Sequence, residues 1–130
     1  MQGPNPYRQY RENAVLTADQ GRLALMLFEG AARFAREAAE YIAARDTAAA
    51  HQAIIRAQDI VEYLAGTVNT EVEVGRNLAA LYNFIHNRLV EANAKKDTAP
   101  LGEAIALVEQ LRDTWREALD GGARTEDKGE

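Results

Sequence analysis

The apolar positions of this chain recur with the period of a helix. Leu78, Leu81, Tyr82, Ile85, Leu89 and Ala92 form one stripe, and Leu101, Ile105, Val108, Leu111, Trp115 and Leu119 form another. Ile54, Ala57, Val61, Leu64 and Val68 form a third. Spacings of three and four put each set on one side of a helix turning ~100° per residue. Strand-type alternation is absent, and no proline occurs between Tyr7 and Ala99. The chain is predicted to be all-α.

Local signals divide the pattern into four helices. Thr17 and Gln20 have capping-box spacing and open a helix that runs to about Arg45. Asp46 or Thr47 caps a second, which runs to about Val68, and Asn69-Thr70 breaks it. A third begins within residues 71–76 and runs to about Ala94. Asp97 or Thr98 caps a fourth, with Pro100 in its first turn, where a missing N–H is harmless. Gly121-Gly122 is expected to end it. Four helices of about 20 residues with short connections predict an antiparallel up-down four-helix bundle. The expected organisation is an N-terminal aromatic arm over residues 1–16, the bundle over 17–120 and a disordered tail over 121–130.

The first helix carries more apolar surface than a bundle helix requires. Leu23, Leu27, Phe34, Ala38 and Tyr41 make one face, and Leu25, Phe28, Ala32, Ala35, Ala39 and Ile42 an adjoining one. Together they span roughly 200°, against the ≳100° of an ordinary surface helix. Ile55, Phe84 and Val90 add apolar groups at or beyond the edges of their own stripes. This surplus needs a cover: neighbouring helices, the N-terminal segment, a second copy or a client chain. In the arm, Tyr7 and Tyr10 share one side of a helical turn that Asn5 and Pro6 can open. Such an arm can lie in an apolar groove.

Composition narrows the function classes. The 130 residues suffice for one domain, and 15 basic against 20 acidic residues give a net charge of -5. That sign argues against a nucleic-acid partner. The N-terminus lacks the pattern of a leader, and no apolar run approaches the ~18 residues of a membrane span. A cytoplasmic protein is expected. With no cysteine there is no thiolate metal site or nucleophile, and with no serine there is no serine triad. Ala48 and Asn83 stand three residues before His51 and His86, where a di-iron bundle needs glutamate. The glycines form no phosphate loop. No enzyme activity, cofactor or metal is expected. A binding module and a structural homodimer are the two readings left.

Six segments in order resemble the flagellar secretion chaperones of the FliS family. They are Asn5-Pro6-Tyr7-x-x-Tyr10, Val15-Leu16-Thr17-Ala18 and Leu25-Met26-Leu27-Phe28-Glu29-Gly30-Ala31-x-x-Phe34, followed by Ala50-His51-x-x-Ile54-Ile55-Arg56-Ala57-Gln58-Asp59-Ile60. Asn77-Leu78-x-x-Leu81-Tyr82, continuing to Arg88-Leu89-x-Glu91-Ala92-Asn93, and Leu111-Arg112-Asp113-Thr114-Trp115-x-x-Ala118 complete the set. The resemblance spans residues 5 to about 119. It implies a four-helix bundle that binds the disordered C-terminal segment of flagellin, prevents premature polymerisation and aids delivery to the flagellar type III export gate. The surplus apolar face leaves a weak homodimer as the client-free alternative. Carried onto this sequence, the resemblance points to Ile55, Arg56, Asp59, Ile60 and Tyr63 on the second helix, and to Phe84, Arg88 and Asn93 on the third, as client contacts. Tyr7 and Tyr10 belong to the arm. Arg56 and Asp59, at i and i+3, are also placed to pair with each other.

Overall fold

A computed structural model of the chain describes residues 18–129, with side chains over 19–121. Among these residues there are four helices and no strand: α1 (Ala18–Ala43), α2 (Thr47–Thr67), α3 (Glu73–Lys95) and α4 (Thr98–Gly129). α1 packs on α2 and α4, α2 on α3, and α3 on α4, which closes a four-membered ring. Across α1/α4, Arg36 meets Glu109 and Arg116 meets Glu29. Across α2/α3, His51 meets Asn93 and Glu62 meets His86. In both seams the numbers rise along one helix as they fall along the other, so these neighbours are antiparallel. The up-down bundle expected from the hydrophobic period is the fold observed.

Two of the three reversals use one sequence device. Arg45-Asp46-Thr47 joins α1 to α2, and Lys96-Asp97-Thr98 joins α3 to α4. Arg45 and Lys96 are left-handed, at φ 62° and 49°. That turn lets Asp46 N–H donate to the Tyr41 carbonyl at 2.9 Å and Asp97 N–H to the Ala92 carbonyl at 3.1 Å. Both bonds close a helix end in the Schellman manner. Each aspartate then caps the next helix: Asp46 Oδ1 accepts from Ala49 N–H at 3.1 Å, and Asp97 Oδ1 from Ala99 N–H at 3.0 Å. The aspartates, not the threonines that follow them, are therefore the caps. Between α2 and α3 the chain turns on Asn69, whose Oδ1 accepts from Glu71 N–H at 2.9 Å. Thr17, the predicted cap of α1, lies outside the described residues.

One boundary differs from expectation. Gly121-Gly122 does not end α4, which continues to Gly129, so the tail expected over 121–130 is helical to that point. Glycine supports a C-cap by adopting positive φ, and no described glycine does so. In helical φ each glycine costs only about 1 kcal/mol relative to alanine, and the residues beyond include helix-favouring Ala123, Arg124, Glu126 and Lys128 with no proline.

The core is asymmetric in side-chain size. α1 contributes Phe28 and a run of small residues, Ala31, Ala32, Ala35 and Ala38, all buried. Its neighbours supply Ile54 and Val61 from α2, Ile85 and Leu89 from α3, and Leu101 and Trp115 from α4. Phe28 joins three helices, with its ring centroid 5.2 Å from Trp115 in an edge-on arrangement and 6.3 Å from Tyr82. Among the described residues no charged side chain is buried. The interior is thus filled by large groups from three helices closing onto a small-residue face of the fourth. The larger flanking groups of α1 are left towards the surface.

Candidate functional site

The surplus apolar surface of α1 is present in the fold. Leu25, Leu27, Phe34, Ala39 and Ile42 are only partly covered, against the flanks of the core. Leu23, Met26 and Tyr41 are exposed, Met26 to 64 %. On α2, Tyr63 is 55 % exposed, and on α3 Phe84 and Val90 are also open. Leu23, Tyr41, Tyr63 and Val90 line hollows between helices.

Three concavities are built from them. At one end of the bundle the start of α1, the end of α2 and the start of α3 enclose a mostly apolar cleft of about 120 Å³. Leu23 and Leu27 face Tyr63 and Leu64 across it, while Tyr82 and Trp115 are among the residues at its base. Further along the α1/α2 seam, Phe34, Glu37, Tyr41, Gln52 and Arg56 line a second hollow of about 110 Å³. Between these two, Gly30 keeps the floor low: a Cβ there would stand 3.4 Å from Ile60 Cδ1. The third lies on the α2/α3 seam, where Ile55 and Gln58 face Val90 and Asn93.

Polar pairs bound the α2/α3 trough at both ends. Asn93 Nδ2 and His51 Nδ1 are 2.8 Å apart. His86 Nε2 donates to Glu62 Oε2 at 2.8 Å. Both histidines of the chain therefore link α2 to α3, with Ile55 and Val90 between them. The other long-range ion pairs lie on the α4 side. Arg36 makes a bidentate contact with Glu109, one branch at 2.8 Å, and this holds the Glu109 carboxyl below the usual carboxylate range. Arg88 pairs with Glu91 and with Glu103 on α4. A hydrogen bond from Lys95 and the charge of Arg88 likewise lower the Glu91 carboxyl.

The end cleft and the α2/α3 trough, mostly apolar and framed by short polar links, suit the burial of a partner's apolar face. The sequence matches the description "Flagellar protein FliS" over residues 3–121. The chain belongs to the FliS family. It is 39 % identical over 115 residues to the flagellar secretion chaperone FliS of Bacillus subtilis, covering 88 % of this chain and 86 % of the relative. It is 31 % identical over 111 residues to FliS of Escherichia coli, covering 83 % and 82 %. Against FliS of Salmonella typhimurium the identity is 28 % over 109 residues, covering 82 % and 81 %.

Within this FliS-family bundle the residues expected as client contacts fall on three seams. On α2, Arg56, Ile60 and Tyr63 face α1, whereas Ile55 faces α3. Asp59 is exposed on the same helix. Asn93 lies beside Ile55 in the α2/α3 trough. Phe84 and Arg88 are on the opposite flank of α3, towards α4, where the Arg88 guanidinium lies 5.8 Å from the Phe84 ring. Arg56 is turned onto the Phe34 ring of α1, 5.6 Å from its centre, and among the described residues no ion pair joins it to Asp59. Tyr7 and Tyr10 lie outside the described residues. The Leu23–Tyr63 cleft and the His51–Asn93 link were not singled out from the sequence. A helical projection of α2 carries the missing signal: positions 51, 55, 58 and 62 share one flank, and 52, 56, 60 and 63 the other.

Among the described residues no helix is long and apolar enough to cross a membrane.

Proposed function

We propose that this chain is a cytosolic flagellin chaperone. It holds the disordered C-terminal segment of flagellin in its outer seams, prevents premature polymerisation and aids delivery to the type III export gate. The observation that carries this reading is the apolar surface left open, among the described residues, along α1/α2 and α2/α3, from Leu23 and Tyr63 to Ile55 and Val90. A disordered segment must recover an ordering cost of about 2–5 kcal/mol or more when it folds on binding. At ~25 cal/mol per Å², each 5 kcal/mol requires roughly 200 Å² of apolar burial. A partner wrapped along more than one seam gathers that area at several places and so offsets the ordering of a long segment.

The N-terminal arm with Tyr7 and Tyr10 fits this reading as a detachable cover. The first described turns of α1 put Gln20 and Leu23 on the rim of the end cleft. The client-contact set is Ile55, Arg56, Asp59, Ile60 and Tyr63 with Phe84, Arg88 and Asn93. Two members are already engaged within the chain, Arg88 by Glu91 and Glu103 and Asn93 by His51 and Lys96.

Co-purification with flagellin tests the proposal. Full-length flagellin is expected to be retained one-to-one, and flagellin lacking its C-terminal helix to be lost. Equal retention of the truncated protein would count against the reading. A constitutive dimer in sedimentation that ignores flagellin would favour the structural homodimer instead.

A further inference from the structure

Arginines in this bundle are almost all satisfied within the chain. Arg22, Arg36, Arg88, Arg112 and Arg116 each meet a carboxylate, and Arg76 donates to the Thr70 carbonyl at 3.1 Å. Among the helical residues whose side chains are described, Arg33 and Arg56 are the exceptions. Both guanidinium groups are held against one ring, Phe34, at 5.0 and 5.6 Å from its centre. Among the described residues neither forms an ion pair or a hydrogen bond. The cluster gathers two like charges in a chain whose net charge is -5. Glu37 lines the adjoining hollow with Phe34 and Arg56 and, among the described residues, pairs with neither arginine, so both guanidinium edges are left without a carboxylate.

We propose that Arg33 and Arg56, stacked on Phe34, form a carboxylate-binding site that anchors an acidic side chain of the segment docked along α1/α2. The physical case rests on three features. Stacking on an aromatic face pre-orders each guanidinium and leaves its N–H edge free to donate. A planar fork matches a carboxylate in two parallel hydrogen bonds, which a neutral or apolar partner cannot use. A partner helix laid over the pair excludes water from it and lowers the local dielectric, which strengthens the contact. The site therefore adds register to a surface whose apolar contacts are tolerant of sliding: an acidic residue of the client is fixed at Phe34 while its apolar face spans the seam.

This inference rests on the chaperone reading, and the experiment separates the two. Flagellin binding is measured for the wild type, for Arg33→Gln/Arg56→Gln and for a charge-matched control, Arg112→Gln/Arg116→Gln, on the α1/α4 face. Each is measured across a salt series. The Arg33/Arg56 variant is expected to bind about tenfold more weakly and with a flatter salt dependence, and the control to bind like the wild type. Unchanged affinity in the Arg33/Arg56 variant, or an equal loss in the control, would overturn the site while leaving the chaperone reading intact. If the wild type does not bind flagellin, the chaperone reading fails. The site is then decided by an acetate titration at constant ionic strength: saturable shifts of the Arg33 and Arg56 Nε–H resonances sustain it, and their absence overturns it.

Discussion

His51 Nδ1 lies 2.8 Å from Asn93 Nδ2, and Lys96 determines which of the two donates. Lys96 Nζ, a donor only, is 2.9 Å from Asn93 Oδ1 and 2.7 Å from the Asn93 carbonyl. The amide oxygen is thereby committed to Lys96, its NH₂ faces the imidazole, and His51 must accept at Nδ1. The neutral ring proton then resides on Nε2. Nitrogen-15 shifts of the His51 ring are expected to report the Nε2–H tautomer. Asn93→Ala removes the α2/α3 link and is expected to cost about 1 kcal/mol in denaturant unfolding. A ring proton on Nδ1 in the neutral protein would contradict this network.

The Arg36–Glu109 contact predicts a defined pH response. Its hydrogen bond and charge hold the Glu109 carboxyl below the ordinary value of 4.5. A carboxylate lowered on folding stabilises the native state where it is ionised in both states. That contribution is complete above the unfolded value and is lost as pH falls through the lower, folded one. Glu109→Gln is therefore expected to lower the thermal midpoint at neutral pH and to flatten its decline below about pH 4.5. A steeper acid decline in the variant would show that Arg36 contributes nothing through this carboxylate.

The two left-handed cations are equivalent in backbone but not in side chain. Arg45 and Lys96 both adopt a conformation that costs an L-residue about 1–2 kcal/mol, part of which glycine returns to unfolded-chain entropy. Among the described residues no hydrogen bond or ion pair involves the Arg45 side chain, whereas Lys96 makes two bonds to Asn93. Arg45→Gly is expected to stabilise the bundle by about 0.5–1 kcal/mol. Lys96→Gly is expected to gain less, because it gives up the Asn93 contacts. Equal gains in chemical denaturation would mean that the Lys96 bonds are energetically silent.

The order of the elements was legible because their signals are local. The stripes at Leu78–Ala92 and Leu101–Leu119 have the period of helices, and the two aspartate caps sit at the reversals where the chain needs them. The α4 boundary was not legible, because a Gly-Gly pair reads the same whether it takes positive φ as a stop or helical φ as part of the helix. On α1 the excess of apolar groups could be counted from the sequence, but not its division. Phe28 and the alanines share the arc of α1 that faces the core between α2 and α4, and Leu23, Met26 and Tyr41 lie off that arc and stay out. The candidate site was the least legible part. Ile55 and Arg56 are adjacent in sequence and face different helices, and Arg88 looks available until Glu91 and Glu103 are seen beside it. Pairing across a seam depends on the register of two helices, which no stretch of one helix contains.

Tyr63 offers the clearest separation of binding from stability. It is 55 % exposed and faces Leu23 and Leu27 over the end cleft, while Ile54, about two and a half turns earlier on α2, is fully buried. Truncating a surface side chain away from core contacts changes stability by about 0.5 kcal/mol at most, whereas emptying a buried isoleucine site costs about 2–5 kcal/mol. Tyr63→Ala is expected to leave the unfolding midpoint nearly unchanged and to weaken flagellin binding about tenfold, as loss of an aromatic anchor does. Ile54→Ala is expected to lower the midpoint strongly and, at temperatures where the fold persists, to bind flagellin nearly as the wild type does. The two variants are compared by denaturant titration and by binding under folded conditions. If Tyr63→Ala keeps full affinity, the end cleft is not where the client docks, and the α2/α3 trough around Ile55 and Val90 becomes the surface to test.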